Sequence, residues 1–471
     1  MADRSSALLL AFLLVVGTLP EALAVGGGRQ GTRTFSVLSR PIYLKYGEVH
    51  NTIQDPIRLP QDLVREFASK PMAIVDYSVD IVDKEGTRVP LYDGYNHHYA
   101  LGIGGYEALN WYYKKHKNDP YGGYELNATQ VPTMRTFMDD MRALSMDVSR
   151  RGRRRAANFG GGSGAEERGT SHLLPAPFAH VVDKPEALIP LIHLINTKAP
   201  DRRPGDGYSK LLECPCTPQR RFDESTGHID GKPPVPPFSC NSKFEDEGNP
   251  SCSFDAYEGG FRCCEHGVFL LDTSVHDVSK EETTEFFFKF DFEFLELEPE
   301  TRLVRPPACC DVTSNRTVGG NIEFDVPACS EGVDPEDCVY EMSSSQTIDM
   351  MPNYHHKTEH LDVDPKEVVE LVYAVGHLHV GGLSLDLYDD DSGELLCHSV
   401  PKYGATEAAG DEEGYVVGMS SCTFDPPIKM TRDTVVRTVS RYNNTVGHHG
   451  VMALWLMQVS DPAPTPSIQA S

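Results

Sequence analysis

The side chains best placed for chemistry are two histidine pairs and a methionine. His97 and His98 are adjacent in Tyr95-Asn96-His97-His98-Tyr99, His377 and His379 are one apart in Val375-Gly376-His377-Leu378-His379-Val380, and Met452 lies in Gly450-Val451-Met452-Ala453-Leu454-Trp455. Residues i and i+2 of a strand share a face, so His377 and His379 can reach one metal ion. Adjacent histidines point to opposite faces, so His97 and His98 converge only at a bulge or a strand end. Imidazole suits copper and zinc, and a thioether is a soft donor that favours Cu(I). The set suggests a redox copper protein. The apolar flanks of the His377/His379 pair strengthen this reading, because buried imidazoles need partners and one metal serves two. The competing reading is a pair of hydrogen-bonded core histidines. Taken alone, His193 in Ile189-Pro190-Leu191-Ile192-His193 reads as a core histidine, and Met452 as a core methionine.

Other clusters explain themselves without chemistry. Cys214-x-Cys216 and Cys263-Cys264-Glu265-His266 have the composition of zinc sites, but disulfides are the better reading in an exported chain. Gly102-x-Gly104-Gly105 is not a dinucleotide fingerprint, since no long helix is expected after it. Asp389-Asp390-Asp391-Ser392-Gly393 lacks the spacing of a calcium loop and reads as a hairpin turn. The Met134, Phe137, Met138, Met141 and Leu144 stripe is helical core, because methionine fills gaps on helices.

The elements that must position these residues are mostly strands. From Phe35 to Tyr113 short apolar runs alternate with turn residues, with one helix expected at Gln61–Ser69 and another at about Pro132–Val148. Phe288, Phe290, Phe292 and Phe294 alternate with Lys289, Asp291 and Glu293, the period of a half-buried antiparallel strand. Without βαβ alternation or repeats, the expectation is a mainly β fold of two jelly-roll-like antiparallel sandwich lobes, stapled by disulfides, with a few short helices. The boundaries expected are a signal peptide at 1–24, disorder at 25–34, an N-terminal lobe at 35–210, a Cys-rich bridge at 211–340, a C-terminal lobe at 341–459 and a disordered tail at 460–471. Arg150-Arg151-Gly152-Arg153-Arg154-Arg155 and Gly160-Gly161-Gly162-Ser163-Gly164 mark 149–170 as a flexible insert that touches none of the motifs.

Arg4, the apolar run Leu8–Val16 and Ala22-Leu23-Ala24 form a secretory leader too short to span a bilayer. The 12 cysteines are an even set suited to disulfides, and sequons stand at Asn127, Asn315 and Asn443. A net charge of −26 disfavours nucleic acid and anionic membranes as partners. The expectation is a secreted protein without membrane insertion; the sequence fixes no oligomeric state.

Leu212-Glu213-Cys214-Pro215-Cys216, the run Cys263–Asp272, His377–Leu383 and Gly414-Tyr415-Val416-Val417-Gly418-Met419-Ser420 resemble the stress up-regulated nodulin family of secreted proteins, across most of the chain from about Phe35 to Val459. That family in turn resembles the copper type II, ascorbate-dependent monooxygenases, whose best-known member hydroxylates glycine-extended peptides. The resemblance implies two copper ions. His97, His98 and the later His193 would hold one and relay electrons from ascorbate. His377, His379 and Met452 would hold the other and activate O2, hydroxylating a C–H bond of a small-molecule or peptide substrate. Met452 follows His379 by 73 residues, as the resemblance requires, and the 95 residues from His98 to His193 include the insert. Two features depart from the peptide enzymes: no substrate-anchoring Arg or Tyr pair is identifiable, and Val380-Gly381-Gly382 follows the second pair without a further histidine. The alternatives are a non-enzymatic extracellular copper-binding protein and a disulfide-stapled stress-response module of the cell wall.

Overall fold

The structure is a computed structural model that describes residues 31–118, 156–160, 164–200, 277–307, 309–312, 324–349 and 364–462, with a few single or paired residues between them. The leader 1–24, the Arg-rich run 150–155 and the sequons at Asn127 and Asn315 lie outside the described residues, as does all of the helix expected at 132–148 except Phe137, which is helical and buried.

The alternating phenylalanines organise the first lobe. Thr284–Glu296 lies between Arg33–Leu38 and Pro71–Val82 in one antiparallel sheet, which continues to Phe178–Asp183. Phe286, Phe288, Phe290, Phe292 and Phe294 point inward, while Lys289, Asp291 and Glu293 occupy the outer face. Opposite them a second sheet runs Val49–Ile53, Ala187–Asn196, Gly94–Gly104, Ala157–Gly160. It contributes Tyr99, Leu101, Ile103, Leu188, Ile192 and Leu194 to the same core. The other face of this sheet is also covered: Ala100, Ile189 and Leu191 pack with Leu109, Tyr112 and Phe137. A strand buried on both faces loses alternation and reads as a continuous apolar run. That is the pattern of Ala187–Asn196.

The second lobe repeats the architecture. Ala453–Ser460, Val368–Leu378 and Ser421–Thr431 form one sheet, and Val339–Thr347, Val435–Asn443, Gly382–Asp389 and Leu395–Ser399 the other. Cys397 and Cys422 join the two sheets with a disulfide, and Cys329 and Cys338 close a short loop. Cys309 and Cys310 form a third, vicinal pair, and the six cysteines from Cys214 to Cys264 lie outside the described residues.

The lobes are not independent. Arg302–Arg305 pairs in parallel with Phe178–Asp183 and antiparallel with Ala453–Ser460, so one nine-stranded sheet runs through both. The stretch 211–340 therefore does more than bridge: Thr284–Glu296 belongs to the first core and Arg302–Arg305 to the seam. Three other expectations are corrected. A helix, Tyr106–His116, stands where only strands and turns were expected; it buries Leu109, Tyr112 and His116, one face at helical spacing. Arg33 and Thr34, the last residues of the stretch 25–34, already belong to the strand Arg33–Leu38, which pairs with Thr284–Glu296. Within the insert 149–170, Ala157–Gly160 is a strand and Ala165–Gly169 a turn of 3-10 helix with Ala165, Glu166 and Glu167 buried. Glycine content signalled flexibility there, but the chain is anchored by its acidic side chains. Among the described residues no helix is long and apolar enough to cross a membrane.

Candidate metal centre

The bulge that an adjacent histidine pair needs is present. In the ladder between Gly94–Gly104 and Ala187–Asn196, Asn96 faces Leu194 and His98 faces His193, leaving His97 as the extra residue. A bulge re-aims a side chain that a regular pleat would send to the other face. The His97 ring lies 4.3 Å from His98 and 4.4 Å from His193, centroid to centroid, and His98 lies 6.0 Å from His193. His98 shares its face with Ala100, and His193 with Ile189 and Leu191, the side away from the phenylalanine core.

In the second lobe, a register shift between Leu371 and Tyr373 divides Val368–Leu378; beyond it the even-numbered face, with Ala374, Gly376 and Leu378, turns inward, and a Cβ on Gly376 would meet Leu385 and the Ser399 hydroxyl. The odd-numbered face turns toward the first lobe, where the Tyr373 hydroxyl donates to the Ser171 carbonyl. His377 lies on that face, its ring 5.2 Å from that of His379.

The two donor sets run into one another. His98 lies 5.2 Å from His377, as close across the lobes as within the His377/His379 pair, and His97 lies 5.6 Å from His379. The ligand nitrogens of His97, His98 and His379 all fall within 4.8 Å of one another. Met452 is buried; Leu454 faces His377 and Ala453 faces Leu378, so the register carried one step further sets Met452 across from His379. The Tyr442 hydroxyl ties these two backbones, accepting from the His379 N–H at 3.0 Å and donating to the Met452 carbonyl.

All five imidazoles are at most 4% exposed. Burial, then the neighbouring rings, pushes the His97, His193 and His379 imidazoles well below the usual histidine range. Neutral imidazole is the form that binds metal. Two buried nitrogens, His97 Nδ1 and His377 Nε2, have no hydrogen-bond partner among the described residues. Buried ring nitrogens without a partner are costly in a dry interior unless something coordinates them.

The sequence reading missed two residues of this centre. Glu166 reaches His377 Nδ1 at 2.7 Å, from the insert expected to touch none of the motifs. Tyr442 lies at the end of the strand Val435–Asn443. Neither carries a motif, and only the folded contacts identify them.

The fold and the cluster define a class: a protein of two antiparallel sandwiches with a buried polyhistidine centre in the seam. Compared with known families, residues 30–462 match stress up-regulated Nod 19, and the chain belongs to that family. No curated protein matches the chain.

Proposed function

We propose that this is an exported copper protein whose metal is held between the lobes, and that its activity is ascorbate-supported monooxygenation of a C–H bond in a small-molecule or peptide substrate. The observation that carries the reading is the convergence of five buried imidazoles, two of them with orphaned nitrogens. A donor set of imidazoles joined by the Met452 thioether would suit copper better than zinc or a hard cation. Bound copper would supply one-electron chemistry and O2 activation. The chain's own residues do the rest: His97, His98 and His193 offer one donor set, His377, His379 and Met452 the other, and the joined sandwiches exclude bulk water. Paired cysteines at bonding distance support an oxidising compartment.

The depth of burial favours a second reading, in which the protein holds copper without turnover. Closed sites are structural, whereas catalytic ones keep an open position. Elemental analysis of the purified secreted protein tests the first step: two donor sets predict up to two copper ions, and His377→Ala with His379→Ala should remove one. Copper content indifferent to that double substitution would end the metal reading. Ascorbate-dependent O2 uptake by the copper-loaded chain separates the monooxygenase from the copper-holding protein.

A further inference from the structure

We infer that Glu166 is a positioning residue that readies His377 for metal, and that it acts from the opposite lobe; this rests on the copper reading above. Glu166 Oε1 accepts from His377 Nδ1 at 2.7 Å and from the Gly164 N–H at 3.0 Å. A carboxylate there fixes the proton on Nδ1 and leaves the Nε2 lone pair aimed away from the glutamate, and Nε2 is the nitrogen without a hydrogen-bond partner among the described residues. Carboxylate partners of this kind orient metal-bound histidines and raise their basicity.

Charge supports the assignment. The Glu166 carboxylate is itself buried. Its only ion-pair partner among the described residues is His377. The nearest guanidinium along the segment, Arg168, is engaged with Asp80 at 2.8 Å and with Glu412. A buried anion with no cation of its own is costly, and a metal ion on the far side of His377 would balance it.

The same short segment also braces the first donor set. Asn96 Nδ2 donates to the Gly164 carbonyl at 2.8 Å, and a Cβ on Gly164 would come within 2.6 Å of the His97 carbonyl. On its other side, the Met419 N–H donates to the Thr170 hydroxyl at 3.0 Å. Gly164–Thr170 therefore sets His97 and His377 relative to each other.

The test compares Glu166→Ala and Glu166→Gln with Glu167→Gln. Glu167 is the adjacent buried glutamate, and its histidine partner is His172 at 2.9 Å, outside the cluster. Competition titration with Cu(II) against a chelator should show affinity about 10–100-fold weaker in Glu166→Ala, a smaller loss in Glu166→Gln, and little change in Glu167→Gln. Nitrogen NMR of histidine-labelled metal-free protein should show His377 protonated at Nδ1 in the wild type and a tautomer mixture in Glu166→Ala. Folded Glu166→Ala with unchanged tautomer and copper affinity would overturn the inference alone. A wild type that binds no copper would remove the copper reading and this inference with it.

Discussion

Replacing Tyr442 by Phe deletes a single oxygen, yet it should cost more than most single changes in the second lobe. The side chain is fully buried, and its hydroxyl accepts from the His379 N–H at 3.0 Å and donates to the Met452 carbonyl. Phenylalanine keeps the ring, so the apolar contacts of Tyr442 with the core around Val451 and Leu378 survive. Two backbone groups lose their bond to this hydroxyl. An unsatisfied buried polar group costs about 1–3 kcal/mol, which places Tyr442→Phe, with two such groups, at about 2–6 kcal/mol. The half-buried cross-strand neighbour Tyr340 serves as the control; Tyr340→Phe should stay within about 0.5 kcal/mol. Urea unfolding gives the energies. Hydrogen exchange on a peptide covering 376–382 gives the location, because the His379 amide should lose protection in Tyr442→Phe and keep it in Tyr340→Phe. If the two variants unfold at the same urea concentration and exchange alike, the hydroxyl does not tie the two backbones.

The sheet cores were legible because their signals are local and periodic. Phe286 to Phe294 alternate with polar residues, and the strand they form buries those rings and no others along its length. The His377-x-His379 spacing called for a shared face, and the two rings lie 5.2 Å apart, while the His97-His98 adjacency demanded the bulge found between Asn96 and His98. The meeting of the two donor sets was not legible. It depends on Arg302–Arg305 joining the lobes into one sheet, a four-residue strand whose parallel pairing with Phe178 has no sequence period. Helix Tyr106–His116 was hidden by its composition. Trp111, Tyr112 and Tyr113 are residue types enriched in strands, and only the packing of Leu109 and Tyr112 with Ile189 and Leu191 decides for the helix. Glu166 was masked by its glycine-rich setting. Glycine there provides close approach to the His97 carbonyl, and this requirement looks the same in sequence as flexibility.

Breaking the inter-sheet bridge with Cys397→Ser and Cys422→Ser together should lower stability by about 2–5 kcal/mol in urea; an unchanged midpoint would mean the sheets hold without it. Burial, with help from His172, lowers the His180 pKa from 6.5 to about 3. The unfolded chain therefore takes up a proton near pH 6.5 that the folded chain refuses until about pH 3. Stability from this group is complete above pH 6.5 and falls by about 1.4 kcal/mol per pH unit below it. His180→Phe should flatten the acid limb by one proton, and parallel curves would refute the linkage. The last prediction concerns Met452. Met457 faces Ala374, belongs to the packed core of the lobe and lies at the opposite parity. Leucine conserves volume at either position, so Met452→Leu and Met457→Leu should each cost less than about 1.5 kcal/mol. Only the first removes a soft donor from the neighbourhood of His379. If the thioether binds metal, Met452→Leu should release Cu(I) much more readily while Cu(II) binding by the imidazoles changes little. Equal Cu(I) retention in both variants would assign Met452 to packing and leave a centre built from histidine alone, without the donor that most favours the reduced ion.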